Sequence, residues 1–186
     1  AAEVVGGQTK DVLKAACALE MIHTYSLIHD DLPAMDDDDV RRGKPTCHIA
    51  FDEASAILAG DALLTLAFQL LSAVEISNGS QALTWLRVMH RIADAAGYRG
   101  MIAGQMKDIA SEDNLLTLEE LEELHALKTG ALIEASIYSG ATIGGGCEER
   151  IDQLGIYAKN IGLAFQIKDD ILNVEGDPAL LGKAVG

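Results

Sequence analysis

The segment His29-Asp30-Asp31-Leu32-Pro33-Ala34-Met35-Asp36 holds three carboxylates that one turn can gather. Pro33 has no backbone N–H and biases Leu32 out of the helical region. A helix running up to Asp31 must therefore break, and a loop can bring Asp36 back towards Asp30 and Asp31. Carboxylate oxygens are the hard donors that Mg²⁺ prefers, a few at a time, with substrate phosphates completing the shell. Arg41 and Arg42 follow at once, and their planar forks match phosphate oxygens. Acids and arginines side by side suit a metal-bridged diphosphate. Two plainer readings stand beside this one. A run of acids, Asp37 to Asp39 above all, is commonly a solvated turn, and His29-Asp30 has the form of the His-Asp metal pair of phosphohydrolases, a dipeptide too short to be specific.

A second acidic group lies near the end of the chain. Gln166, Asp169, Asp170 and Asn173 fall at i, i+3, i+4 and i+7, which places them on one helical face. Phe165, Ile167, Ile171 and Leu172 cover much of the remaining circumference. The stripe either meets solvent, as polar stripes usually do, or faces an internal cavity, where two adjacent carboxylates need cations. Lys128, with Thr129 and Gly130 beside it, interrupts the apolar stripe Leu121, Leu124, Leu132, Ala135 where another leucine is expected. A lysine seldom sits fully buried without a partner. It either snorkels to the surface or meets a phosphate held between the two acidic segments.

Positioning these groups falls to helices. Apolar residues recur at three- and four-residue intervals over about 8–32, 49–74, 80–109, 117–143 and 148–174, and no segment reads as a strand. Thr117 with Glu120 has the pattern of a capping box. Pro33, Pro45 and Pro178 lie outside the long periodic segments, and the residues from Glu175 to Gly186 read as a loop. The expectation is an all-α, single-domain helical bundle over residues 1–186 around a central cavity. His23 precedes Asp30 by two helical turns and shares its side; it is either a ligand-facing group or a core histidine.

Composition narrows the partners. With 186 residues and 49% hydrophobic content the chain can bury one sizeable core. Its 14 Lys plus Arg against 29 Asp plus Glu give a net charge of −15, which argues against nucleic acid and anionic membrane surfaces. Cys17, Cys47 and Cys147 form neither a CxxC pair nor a disulfide framework, so a reducing, cytoplasmic setting is the expectation. No apolar run reaches the roughly 18 to 20 residues of a membrane span, and no signal-peptide pattern opens the chain.

Taken together, these residues resemble the trans-isoprenyl diphosphate synthase family, also called polyprenyl synthetases, and most closely its bacterial-type farnesyl and geranylgeranyl members. The first aspartate-rich motif, DDxxxxD in one class, is Asp30-Asp31-Leu32-Pro33-Ala34-Met35-Asp36. Arg41-Arg42-Gly43 fits the diphosphate-binding arginines, Lys128-Thr129-Gly130 lies between the motifs, and Asp169-Asp170 after Phe165-Gln166 is the second.

The resemblance implies a prenyltransferase that condenses isopentenyl diphosphate with an allylic diphosphate, dimethylallyl or geranyl, and releases pyrophosphate. It implies three Mg²⁺ ions between Asp30, Asp31 and Asp36 on one side and Asp169 and Asp170 on the other. Lys128, Lys168 and Lys183 would hold the leaving diphosphate, Thr129 and Gln166 would turn oxygen dipoles towards the developing cation, and pyrophosphate would take the final proton. His23 would contact isopentenyl diphosphate, with Gln105 and Asp108 in a further polar patch. A homodimer is the family expectation. Tyr25, five residues before Asp30 and about 7.5 Å along the axis, resembles the aromatic floor of bacterial farnesyl synthases, although an ordinary core tyrosine would look the same.

The chain departs from the family pattern in two ways. Asn173 replaces a common last aspartate of the second motif, and the upstream Gly-Gly-Lys-Arg-type segment and the C-terminal helices have no match, so the chain is expected to be part of a longer enzyme. The alternatives are a geranylgeranyl diphosphate synthase and a non-catalytic regulatory subunit of a prenyl synthase. Subunits of that kind tend to lose the metal aspartates that are present here. A terpene cyclase would replace Asp169-Asp170 with an Asn/Ser/Glu motif, and a Ca²⁺ module would need a loop that is absent.

Overall fold

A computed structural model of the protein describes residues 1–111 and 114–175, with side chains placed to Leu172. The order is α1 (Thr9–Asp30), a short hairpin of β1 (Val40–Arg41) and β2 (Lys44–Pro45), α2 (Cys47–Ala50), α3 (Glu53–Ser72), α4 (Gly79–Ala96), α5 (Met101–Ser111), α6 (Leu118–His125), a π-helical turn (Ala126–Gly130), α7 (Ala131–Ile143) and α8 (Glu148–Glu175). The all-α expectation holds. Lys183 and the loop expected beyond Glu175 lie outside the described residues, as does the side chain of Asn173.

α1 packs along α3 and touches α7; α7 in turn lies between α4 and α8. Ile22, Leu71, Val88 and Ile92 are fully buried at the centre, with Ala18, Ala67 and Ala96 beside them. Small residues at these crossings let helix backbones approach closely. N-terminal caps come from Asp52, which accepts from the Ser55 N–H at 2.7 Å, and Asn78, which accepts from the Gln81 N–H at 2.9 Å. Thr117 and Glu120 form the reciprocal capping box at α6.

The structure corrects four expectations. The helix expected over 80–109 is broken at Gly97–Gly100. A Cβ on Gly100 would stand 2.1 Å from the Ala95 carbonyl oxygen, so the chain folds back onto the end of α4 in a way only glycine allows. The helix expected over 117–143 is interrupted by the π turn, in which the Ala131 N–H bonds back five residues to Ala126. A strand pair exists where none was expected. Its two-residue loop, Arg42-Gly43, has positive φ at both positions (53° and 74°), the backbone of a type I′ hairpin turn. Lastly, α3 is by length and composition apolar enough to cross a membrane. One side of it packs on α1, while the other leaves Ile57, Leu58 and Leu66 exposed.

α5 meets the π turn backbone to backbone. A Cβ on Gly104 would lie 2.2 Å from the Lys128 nitrogen, whereas one on Gly79, at the start of α4, meets nothing within 4 Å. Alanine gains about 1 kcal/mol of helix propensity over glycine, but a clash with backbone, which cannot swing aside, costs about 1–3 kcal/mol. Denaturant unfolding is therefore expected to show Gly79→Ala slightly stabilised and Gly104→Ala destabilised. A stabilised Gly104→Ala would show that this contact is not tight.

Candidate active site

Pro33 ends α1 as expected. Asp31 caps the helix, and the turn closes through the Leu32 N–H to the His29 carbonyl (3.1 Å), the Met35 N–H to the Leu32 carbonyl (2.8 Å) and the Asp36 N–H to the Asp30 carbonyl (2.8 Å). Leu32 is buried and anchors the turn. Asp36 thus returns to the end of the helix carrying Asp30. Asp37 to Asp39 continue into the hairpin, with Asp37 in the left-handed region at φ 51°.

This end of α1 opens on a cavity of about 1140 Å³. His23, Tyr25, Asp30, Arg41, Arg42, Gln105, Lys128, Thr129, Gln166 and Asp169 all line it, so the structure gathers most of the expected site from five segments of the chain. Lys168 does not line the cavity and is exposed. Below the polar end, Leu19, Leu64, Met101, Leu132 and Ile133 make an apolar channel. Tyr25 is buried against it, edge-on to the His29 ring at 5.7 Å. On α8, Gln166 and Asp169 of the polar stripe face the cavity, Phe165 lines it beside them while staying largely exposed, and Ile167 and Ile171 are exposed.

The charges are arranged in pairs. The Arg41 guanidinium takes both oxygens of buried Asp31, at 2.6, 2.9 and 3.0 Å. This hydrogen bond raises the Arg41 pKa despite burial. Asp31 and Arg41, expected to meet metal and phosphate, here hold each other. Lys128 donates to Asp108 on α5. Burial pulls its pKa down, but the Asp108 hydrogen bond and the charges of Asp108, Asp30 and Asp36 raise it further than that. Asp30 is pushed up to about 6, by burial first, against the pull of Lys128 and with repulsion from Asp36. The Asp36 carboxyl is likewise raised by desolvation, opposed by Lys128. Burial, and then Asp30, raises the Tyr25 hydroxyl.

The π turn directs Lys128 and Thr129 to the cavity, and it also grips α8. The Gln166 amide nitrogen donates to Thr129 Oγ1 at 2.8 Å, and one helical turn further His125 Nε2 lies 2.9 Å from Asp170 Oδ2. Asp169 therefore lines the cavity while Asp170 is tied to α6. Sequence reasoning missed His125. Its signal was the spacing: His125 and Thr129 are four apart, as are Gln166 and Asp170, the pattern of two antiparallel helices joined at two rungs. Asp61 on α3 also lines the cavity and was not singled out.

Gln105 Nε2 is buried and has no acceptor among the described residues, a condition native structures rarely leave unresolved. Among the described residues no three carboxylates, histidines or cysteines converge into a ready-made metal cage. Asp30 on α1 and Asp169 on α8 line the cavity from different elements, whereas Asp31, Asp36 and Asp170 are not part of its lining, although the Asp36 charge acts on Asp30.

The polyprenyl synthetase family model matches residues 1–186. The chain is 53% identical over 174 residues to the farnesyl diphosphate synthase of Geobacillus stearothermophilus, covering 94% of this chain and 58% of that one. It is 50% identical over 189 residues to the heterodimeric geranylgeranyl pyrophosphate synthase large subunit 1, chloroplastic, of Arabidopsis thaliana, covering 100% of this chain and 51% of that protein. The crystal structure of a geranyltransferase from Helicobacter pylori, complexed with magnesium and isoprenyl diphosphate, is similar at a TM-score of 0.88 and 38% identity, covering 97% of this chain and 61% of that one. The chain thus spans between about half and three fifths of the length of these relatives. With a family match over its whole length and this level of identity, the chain belongs to the polyprenyl synthetase family.

Proposed function

We propose that this protein is a Mg²⁺-dependent trans-prenyltransferase that condenses isopentenyl diphosphate with dimethylallyl or geranyl diphosphate to give farnesyl diphosphate and pyrophosphate. The observation that carries the reading is the cavity itself, which Asp30 of α1 and Asp169 of α8 line together with Lys128 and Arg42, with an apolar channel beneath. Family membership and the magnesium and isoprenyl diphosphate of the Helicobacter pylori structure support it.

The residues fit the metal. Asp30 and Asp36 are carboxyls whose charged forms are under-compensated, since burial raises both despite Lys128. Mg²⁺ takes one or two carboxylates and completes its shell with phosphates, so an open, two-sided arrangement suits it better than a closed cage. Asp30, Asp36, Asp169 and Asp170 would hold it, with Asp31 acting through Arg41; three ions are part of the same reading. When bound, Mg²⁺ supplies electrostatic stabilisation of departing pyrophosphate.

This chain's residues would do the rest. Lys128 and Arg42 bind diphosphate oxygens, and Gln105 Nε2 finds its acceptor on substrate. As the allylic C–O bond breaks, Thr129 Oγ1 and the Gln166 carbonyl face the carbocation with their dipoles. The isopentenyl double bond attacks, the new C–C bond forms, and pyrophosphate takes the proton that is lost. The apolar channel holds the growing chain away from water, and Tyr25 floors it. Identity does not separate farnesyl from geranylgeranyl relatives here (53% and 50%), so the product assignment rests on Tyr25. A homodimer, supported by the exposed apolar side of α3, and a cytoplasmic setting, supported by three free cysteines, belong to the same proposal.

Chromatographic product analysis of the full-length protein with Mg²⁺, isopentenyl diphosphate and each allylic primer is expected to give a farnesyl product that Asp30→Ala abolishes. No condensation from any primer would replace this reading with the regulatory subunit. Tyr25→Ala is expected to shift the product to geranylgeranyl or longer; unchanged farnesyl product would remove Tyr25 as the floor.

The Asp30 charge also predicts a pH signature without metal. Its folded pKa of about 6 lies above the ordinary 3.8, so the folded state binds the proton more tightly. Stability from this group is complete below about pH 4 and is lost as pH rises through 6. Asp30→Asn should therefore be more stable than wild type at pH 7.5 in EDTA, by on the order of 2 kcal/mol, and the gap should close near pH 4. Added Mg²⁺ should raise the wild-type melting temperature more than that of Asp30→Asn. Equal pH profiles for the two proteins would show that the Asp30 carboxylate is not under strain.

A further inference from the structure

His125 has no part in the chemistry above, yet its placement is specific. The His125 side chain is 8% exposed, whereas the Asp170 side chain it meets is 45% exposed. Water could satisfy that carboxylate, but water would not fix its orientation. Nε2 lies 2.9 Å from Asp170 Oδ2, and because an ionised carboxylate only accepts, Nε2 carries the proton and donates. Nδ1 is buried and has no hydrogen-bond partner among the described residues. Leaving a buried polar atom unpaired is costly, so an apolar side chain would serve the core better here. Among the described residues, the bond to Asp170 is the one polar interaction recorded for the ring.

His125 is also the last residue of α6, directly before the turn that carries Lys128 and Thr129. Its bond to α8 lies one turn from the bond between Thr129 and Gln166. Two rungs fix both the rotation and the register of α8 against the π turn; one alone would leave its acidic end able to pivot. Asp169 lines the cavity while Asp170 is held from behind, so the two adjacent acids have different settings.

We infer that His125 is a positioning residue that holds the Asp170 carboxylate, and with it the acidic end of α8, in the orientation that receives a divalent cation with a diphosphate. Histidine and carboxylate partners behind metal ligands fix orientation in this way, and their loss typically lowers metal affinity 10–100-fold. The inference rests on the proposed function in taking Asp170 to be a ligand.

The test is calorimetric titration of the intact protein with Mg²⁺ and inorganic pyrophosphate, for wild type, His125→Ala, His125→Gln and Asp170→Ala. Relative to wild type, His125→Ala is expected to weaken Mg²⁺-dependent pyrophosphate binding by about 10–100-fold. It should raise the Mg²⁺ concentration for half-maximal rate in step, with KM for isopentenyl diphosphate changed by less than about twofold. Glutamine can place an amide N–H at similar reach, so His125→Gln should recover most of the affinity. Wild-type affinity in His125→Ala overturns the inference. So does a His125→Gln that folds and melts like wild type but binds as weakly as His125→Ala, and so does failure of both variants to fold, which would make His125 a core residue. Wild-type binding by Asp170→Ala is a different failure, since it removes Asp170 from the ligands and takes the proposed metal site down first.

Discussion

Asp30 must be held in a place that disfavours its charge. It ends α1, where the helix dipole is negative, and burial takes away the water that would offset it. Much of the surrounding structure answers that constraint. The turn after Leu32 brings more acid rather than less, the hairpin returns Arg41 to neutralise Asp31, and the π turn brings Lys128 from across the fold. The compensation is incomplete, as the carboxyl at about 6 indicates. The proposed divalent cation would offset the charge that these partners leave uncompensated.

The two aspartate motifs and the break at Pro33 were legible because their signals are local. A proline stops a helix whatever the rest of the chain does, and four polar residues at helical spacing share a face in any fold. The capping box at Thr117 belongs with them. By the same logic the Gly97–Gly100 break was written in the sequence, but two glycines within an otherwise periodic stretch read as tolerated interruptions until their backbones are seen against Ala93 and Ala95.

Pairing was what stayed hidden. Nothing in the order of residues says that Arg41 closes on Asp31 rather than reaching outward, that Lys128 finds Asp108, or that His125 holds Asp170. Each partner lies on a different element, and hydrophobic periodicity reports only that an element has a face. The exposed apolar side of α3 escaped notice for a related reason. The eye counts uninterrupted runs, and Asp61 divides one that a helix makes continuous.

The π turn has a consequence for how this sequence can vary. Its extra residue is a matter of chain length rather than of side-chain identity, so point substitution within Ala126–Gly130 leaves the count unchanged. Straightening the turn into α-helical bonding with all its residues retained would rotate everything downstream by roughly 100° relative to α6. α7 would then turn a different side to α4 and α8. The segment is thus a phase setting between two halves of one long helix, a wider turn that absorbs one residue while Lys128 and Thr129 within it face the cavity.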